Sequence, residues 1–314
     1  MAAGFVFWRS PLDFPTFLIQ LLNAVQYGLL LFLIASGLTL IFGIMGIINL
    51  AHGSFYMLGA YLAFSLSDGL GSLWLAVPAG IVLSVVFGLL LEWLVIRRLY
   101  ARDHLYQVLL TYGLILVFEE LRSVLWGDDV HGVKVPDVLS ASIPLTETLS
   151  YPVYRLAMSA VCLVLALGLW WVIRRTRLGM IIRAGSVNRD MVQSLGIDIG
   201  LIYRIVFAAG VGLAAFAGMI AAPTSSVFPG MGNQVLIICF VVVVIGGIGS
   251  VQGALIGALL IGLVDTFGKV VTVEVGGFQV LPQLAGVMVY LLMAVILLWR
   301  PQGLMGAERQ RKGG

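Results

Sequence analysis

The sequence predicts an all-α, polytopic integral membrane protein, and three observations support this fold class. Of the 314 residues, 61% are hydrophobic and only 11% are charged, against roughly 25% charged residues in an ordinary soluble domain. The polar side chains are therefore too few to cover a soluble globule, which excludes a cytosolic enzyme and a disordered regulator. The net charge of +3 gives no indication of nucleic-acid binding. The third observation is a series of apolar runs, most of them close to the length of a membrane span of about 20 residues.

Nine apolar runs are candidate spanning helices. In chain order they cover residues 16–42, 45–66, 74–96, 105–125, 153–173, 204–222, 234–249, 252–268 and 282–299. Strands of a membrane barrel would be about ten residues long and would alternate in polarity, so these runs favour helices. The chain 1–314 then forms a single transmembrane domain with eight or nine crossings. The number depends on whether 43–53 is a true turn or a break inside one crossing.

The loops between these runs differ in charge, which predicts their orientation. Segments 97–103 and 174–204 and the tail from residue 300 are rich in arginine, whereas 126–152 carries four acidic residues against one lysine. Lysine and arginine concentrate in cytoplasmic loops. We therefore expect the three basic segments on the cytoplasmic side and 126–152 in the periplasm, together with the uncharged segment 223–233.

Several polar residues fall inside or beside the predicted spans. Glu119, Glu120 and Arg122 lie near the outer end of their helix, where either an interfacial ion pair or snorkelling of Arg122 to the interface is expected. Glu92 is expected to pair with the arginines that follow it at 97 and 98. Cys162 and Cys239 lie in apolar runs, which is typical of buried thiols. The three histidines are too scattered along the sequence to predict a metal site.

Two of the apolar runs are interrupted by glycine and polar residues, at 43–54 and at 246–253. Aligning Gly53 with Gly253 also places Gly46 on Gly246, which suggests an internal repeat. Irregular backbone at membrane depth is tolerated only where protein buries it or where it lines a cavity. A pair of interrupted segments in the two halves of a chain points to a translocation path.

On this argument we expect four residues to line a path: Asn49, His52, Gly53 and Gly249. Alternatives to a role in a path remain open for the glycines and for the polar residues. Small residues, among them Gly59, Gly253, Gly257 and Gly262, can simply permit close helix packing. Asn49 and His52 can instead satisfy backbone groups that the break leaves free.

The arginine-rich segment 174–204 is expected to contain a short amphipathic helix from Asn188 to Leu195, which Gly196 ends. Its apolar side would carry Met191, Val192 and Leu195. Such a unit is explained either as a surface helix in a basic loop or as a shape that docks in a groove of a cytoplasmic partner. The sequence contains no nucleotide-binding P-loop and no HExxH, CxxC or GxSxG motif. Uphill transport would therefore need another subunit or an ion gradient.

The sequence resembles the LivH-type permease subunits of the ABC importers for branched-chain amino acids, over nearly its full length. The block 46–61 is the most specific part of the resemblance. The full set of matching stretches is 37–43, 46–53, 55–61, 183–197, 246–250 with 253–254 and 257–258, and 300–304. The resemblance implies a pore subunit in the bacterial inner membrane, paired with a second homologous permease and two cytoplasmic ATPases. A periplasmic solute-binding protein would deliver the substrate. No cofactor is implied in this chain, because ATP would be bound by the partner subunits.

The resemblance also implies that the 176–199 region docks on an ATPase. The residues assigned to this coupling are Arg183, Ala184, Asn188, Leu195, Gly196 and Ile197. Ser54 stands where many family members have an acidic residue, so permeases for urea, amides or aromatic acids remain alternatives. An ion-coupled secondary transporter is a further alternative, and Asp265 is its only remote candidate for an ion-coupling acid. An intramembrane enzyme would need a nucleophile pair or metal set that the sequence lacks.

Overall fold

Helices make up most of the computed structural model, which describes residues 13–100, 102–144, 149–270, 274–275, 278–279 and 281–306. The α-helices are α1 (Phe14–Met45), α2 (His52–Leu70), α3 (Leu73–Leu94), α4 (His104–Trp126), α5 (Val153–Arg175), α6 (Arg177–Val187), α7 (Arg189–Ser194), α8 (Ile199–Ala221), α9 (Met231–Gly246), α10 (Val251–Val270) and α11 (Leu281–Trp299). Two short antiparallel pairs join β1 (Ser142–Pro144) to β2 (Ser150–Pro152) and β3 (Glu274–Val275) to β4 (Phe278–Gln279).

Each of the nine predicted runs falls on one of these helices, so the all-α, polytopic fold class is confirmed. Five helices, α1, α3, α5, α8 and α10, are long and apolar enough to cross a membrane, and α9 and the Leu284–Trp299 part of α11 are shorter apolar helices. The predicted run 45–66 is wrong at its start, because residues 46–51 are not helical. The left-handed backbone of Gly46, with φ of +66°, ends α1 there.

The centre of the bundle is α1, whose 32 residues span about 48 Å at 1.5 Å per residue. It is buried from Gly28 to Ile41 and packs against α5, α8, α9 and α10. Helices α3, α4 and α5 instead expose large apolar side chains, including Trp74, Leu109 and Val164. Apolar side chains on the outside of a bundle are stable when the solvent is lipid, so these helices form its periphery.

The loops divide between the two ends of the bundle. His104, Arg174 and Met305 line one cavity, so the three basic segments lie at one end, which we call the arginine-rich end. At the opposite end, the backbone N–H of His131 donates to the carbonyl of Val227 at 2.8 Å. Segments 126–152 and 223–233 therefore share this outer end, as predicted from their lack of arginine. That the arginine-rich end faces the cytoplasm stays a prediction.

The two predicted ion pairs have different outcomes in the structure. The Nε atom of Arg122 lies 3.6 Å from Oε2 of Glu119, and its Nη1 atom lies 2.8 Å from Oδ1 of Asp128. These distances confirm the predicted ion pair at the outer end. The predicted pairing of Glu92 with the following arginines is wrong. Glu92 is buried and accepts a hydrogen bond from the hydroxyl of Tyr100, while those arginines are exposed. Both cysteines are buried free thiols, as expected.

Candidate functional site: a basic cavity where the two breaks meet

The first break is a true interruption of the helix, and it turns the chain back along α1. His52 is the first residue of α2, and the Nε2 atom of its imidazole lies 2.9 Å from the carbonyl oxygen of Ile34. A carbonyl only accepts, so Nε2 carries the hydrogen. Ile34 precedes the last residue of α1, Met45, by eleven positions, or about 16 Å of helix. Segment 46–51 therefore returns alongside α1, and α2 begins inside the bundle.

The polar residues of the first break are buried and hold the returning segment in place. The side-chain oxygen of Asn49 accepts the backbone N–H of Ala51 at 3.1 Å, and Asn49 and His52 have no exposed surface. Gly53 packs against the backbone of α9, where a Cβ would lie 2.1 Å from the carbonyl oxygen of Gly232. These contacts favour the alternative in which the polar side chains satisfy the backbone. The path-lining role of these three residues stays a prediction.

The second break is a tight turn between α9 and α10. Gly247 and Gly249 have φ of +99° and +82°, a backbone that other residues rarely adopt. The hydroxyl of Ser250 then accepts the backbone N–H of Gly253 at 3.0 Å, which caps the start of α10. The chain after α11 covers this turn, since the N–H of Leu304 donates to the carbonyl of Ile245 at 2.8 Å.

The two breaks meet at the arginine-rich end. A Cβ on Gly43, near the end of α1, would lie 3.0 Å from the Cα of Gly249. Beside this contact is a cavity of about 730 Å³ bounded by α1, α5, α6 and the α9–α10 turn. Arg174, Arg183 and Arg189 line it, and none of its lining residues in the described part of the chain is acidic. The cavity is therefore electropositive, with an apolar wall supplied mainly by α1 and α5.

Of the predicted path residues, the structure places only Gly249 in the wall of this cavity. Asn49, His52 and Gly53 lie outside it, in the core. Sequence reasoning missed Thr39 and Gln252, which do line the cavity. No local pattern marks Thr39, because it becomes part of a site only when α10 packs against α1. For Gln252 a signal was available in the sequence, because the alignment of Gly53 with Gly253 also places His52 on Gln252.

The arginine-rich segment folds into α6 and α7, and its helix boundaries agree with the prediction. The side-chain oxygen of Asn188 accepts the backbone N–H of Met191 at 3.0 Å and caps α7. Gly196 follows α7 with φ of +82°, as expected for the residue that ends the helix. Arg183 is exposed and donates to the carbonyl of Ile173 in α5, so α6 is tied to the end of α5.

The surface of α6 and α7 exposes large apolar side chains. Val187, Met191 and Leu195 are 87%, 62% and 72% exposed. The predicted single apolar side of α7 is wrong in part, because Val192 is buried and the other two apolar residues face outward. Of the other residues assigned to coupling, Ala184 and Gly196 are exposed and Ile197 is partly buried.

An apolar helical bundle whose broken helices meet at a cavity is the architecture of a membrane transport protein. The chain belongs to the family described as the permease component of branched-chain amino acid transport systems, whose family model matches residues 20–297. It is a multi-pass membrane protein of this family.

Several curated relatives are similar to this chain over nearly its whole length. The branched-chain amino acid permease protein BraD of Pseudomonas aeruginosa is 31% identical, covering 94% of this chain and 98% of its own. The permease protein LivH of Escherichia coli K12 is 28% identical, covering 96% and 99%. The ribose import permease RbsC of Haemophilus influenzae is 29% identical over 78% of this chain and 76% of its own. No solved structure matches the chain.

Proposed function

We propose that this chain is the pore subunit of an ATP-driven importer of branched-chain amino acids. It works in the bacterial inner membrane with its arginine-rich end in the cytoplasm. Its partners are a second homologous permease, two ATPase subunits and a periplasmic solute-binding protein. The relatives BraD and LivH, both described as branched-chain amino acid permeases, support the substrate class. The sequence has no P-loop, so the ATP would be bound by the partner subunits.

The observation that carries this proposal is the position of α6 and α7 between a docking surface and the cavity. Outward, Met191 and Leu195 are exposed apolar side chains at the end of the bundle where water, and not lipid, is the expected solvent. The exposed Val187 lies at the edge of the cavity, between this surface and the cavity wall. Inward, Arg183 and Arg189 belong to the cavity wall. A partner that binds the outer face and moves would therefore also move the wall.

This arrangement supports alternating access driven from the cytoplasm. Closure of the ATPases would push α6 and α7, and α6 would carry the end of α5 with it through the hydrogen bond from Arg183 to Ile173. The cavity would open or close toward the cytoplasm as a result. The contact of Gly43 with Gly249 would transmit the movement to both broken segments, because their backbones touch there.

A secondary transporter is less well supported by the structure. Asp265, its candidate ion-coupling acid, lies 2.6 Å from the ammonium group of Lys269 in an i,i+4 pair. A carboxylate already paired with a lysine at the end of a helix is poorly suited to binding and releasing a coupling ion.

The experiment is uptake of labelled leucine into proteoliposomes, with and without the ATPases and the binding protein. We expect uptake only with all partners and ATP. In the double variant Arg183→Gln and Gly196→Ala, uptake should fall about tenfold while ATP hydrolysis continues. Arg98→Gln is the matched control, since this arginine is exposed at the same end but lies outside α6 and α7. Gradient-driven uptake by the chain alone, or normal uptake by the double variant, would contradict the proposal.

A further inference from the structure

The cavity at the arginine-rich end combines positive charge with an apolar wall. Arg174, Arg183 and Arg189 line it, and none of them forms an ion pair within the described residues. Leu40 and Ile248 contribute apolar surface. Its volume of about 730 Å³ lies within the roughly 300–1,000 Å³ of small-molecule sites. This chemistry suits a molecule that is anionic at one end and apolar at the other.

The start of α10 supplies donors to the same cavity. Gly249, Ser250, Val251 and Gln252 all line it. The first N–H groups of a helix have no partner within the helix and carry the positive end of its dipole. The hydroxyl of Ser250 satisfies only the N–H of Gly253. Within the described residues, the N–H groups of Val251 and Gln252 are left without an acceptor.

An independent observation on the α1 wall also indicates a ligand. Thr39 belongs to the cavity wall, has no exposed surface, and its hydroxyl oxygen has no hydrogen-bond partner among the described residues. A buried hydroxyl without a partner costs free energy, so such groups are normally satisfied by protein, water or a ligand. Thr39 is contributed by α1, and the free backbone donors are contributed by α10.

We infer that this cavity binds the carboxylate of the transported amino acid before its release, at the start of α10. The carboxylate oxygens accept hydrogen bonds from the N–H groups of Val251 and Gln252, and from the side chains of Gln252 and Thr39. The apolar side chain of the substrate packs against Leu40 and Ile248. The three arginines attract the carboxylate end toward the cytoplasmic opening. This inference rests on the proposed function and names the part of the substrate that the pore recognises.

The test uses the complete importer assembly, free of nucleotide, in nanodiscs of phosphatidylcholine. The probe is a diazirine analogue of leucine, and labelled peptides are mapped after irradiation. We expect labelling within residues 39–46 and 248–252. Leucine should compete about tenfold better than leucinamide, which keeps the side chain and the amine but has no carboxylate. Equal competition by the two would overturn the inference.

Two variants test the named donors. Gln252→Ala and Thr39→Val should each reduce labelling of the cavity about threefold or more, since each removes a hydrogen bond to a charged group. Thr224→Val is the matched control, because this threonine lies at the outer end with its hydroxyl bonded to the carbonyl of Ala221. If Gln252→Ala and Thr39→Val both label like the parent protein and the Thr224→Val control, the inference is wrong.

The remaining outcomes separate this inference from the proposed function. A net-anionic lipid headgroup shares the charge of a carboxylate, so loss of labelling when anionic phosphatidylglycerol replaces zwitterionic phosphatidylcholine would assign the cavity to lipid and overturn the inference. Normal ATP-driven uptake with no labelling in the cavity would refute the inference and leave the proposed function intact. Absence of ATP-driven leucine uptake by the full assembly would refute both.

Discussion

A pair of glycine-to-alanine changes in α2 tests how tightly the bundle is packed at its centre. Gly59 faces α8, and an added Cβ would lie 2.0 Å from the carbonyl oxygen of Ala215. In the same interface, a Cβ on Gly218 would lie 2.0 Å from the carbonyl oxygen of Tyr56. Gly69, near the end of the same helix, has no atom within 4 Å of an added Cβ. The two substitutions are chemically identical and differ only in what the new methyl group meets.

The magnitude follows from these distances. Cβ atoms essentially never approach another atom closer than 3.0 Å, so Gly59→Ala must separate α2 from α8 by at least about 1 Å. Overpacking of this kind costs about 1–3 kcal/mol. Alanine in a helix recovers at most about 1 kcal/mol relative to glycine. We therefore expect Gly59→Ala to lower the free energy of unfolding, and Gly69→Ala to leave it unchanged or raise it slightly.

The assay is thermal unfolding of each purified variant in the same detergent, followed by tryptophan fluorescence. Gly59→Ala should unfold several degrees below the parent protein, and Gly69→Ala at or above it. Equal unfolding temperatures for the two variants would refute the close packing of α2 against α8. Because this interface joins the first broken segment to α8, the uptake assay should also show reduced transport by Gly59→Ala and normal transport by Gly69→Ala.

Three further changes test other parts of the structure. His52→Leu should lower the free energy of unfolding by about 1–3 kcal/mol, because it leaves the buried carbonyl of Ile34 without the N–H donor of the imidazole. An unchanged unfolding temperature would count against the structural role of the imidazole. Asp128→Asn tests the outer ion pair. The hydrogen bond from Arg122 lowers the pKa of the Asp128 carboxyl in the folded protein. The stabilisation of the fold by this pair is therefore present above the unfolded pKa of about 3.9, and it disappears as the pH falls through the lower pKa of the folded state. The difference in unfolding temperature between parent and variant should therefore close between about pH 5 and pH 2, and a constant difference would contradict it. Asn188→Ala should destabilise α7 by about 1 kcal/mol and speed hydrogen exchange of its amides, whereas exchange at the parent rate would show that the cap contributes nothing.

Local sequence was sufficient to place the helices and the ends of α7. Each spanning helix is a continuous apolar run, and the length of a run is visible without knowing its neighbours. The end of α1 at Gly46 and the cap at Asn188 are equally local, since a helix terminus depends on a few adjacent residues. The close approaches at Gly59 and Gly257 agree with the alternative of close helix packing, because small residues at helical spacing are typical of packed membrane helices.

Which residues line the cavity was decided only by tertiary packing. Thr39, Arg189 and Gln252 are far apart in the chain, and a single apolar or basic run carries no information about which other run it will face. The same reason explains why the alternatives at His52 stayed open and why the partner of Glu92 was predicted wrongly. Whether His52 reaches a substrate or the carbonyl of Ile34 depends on how far segment 46–51 returns along α1, and the partner of Glu92 depends on where Tyr100 lies after the turn at 96–99. Hydropathy and helix caps act over a few residues, whereas a site is assembled across the whole bundle.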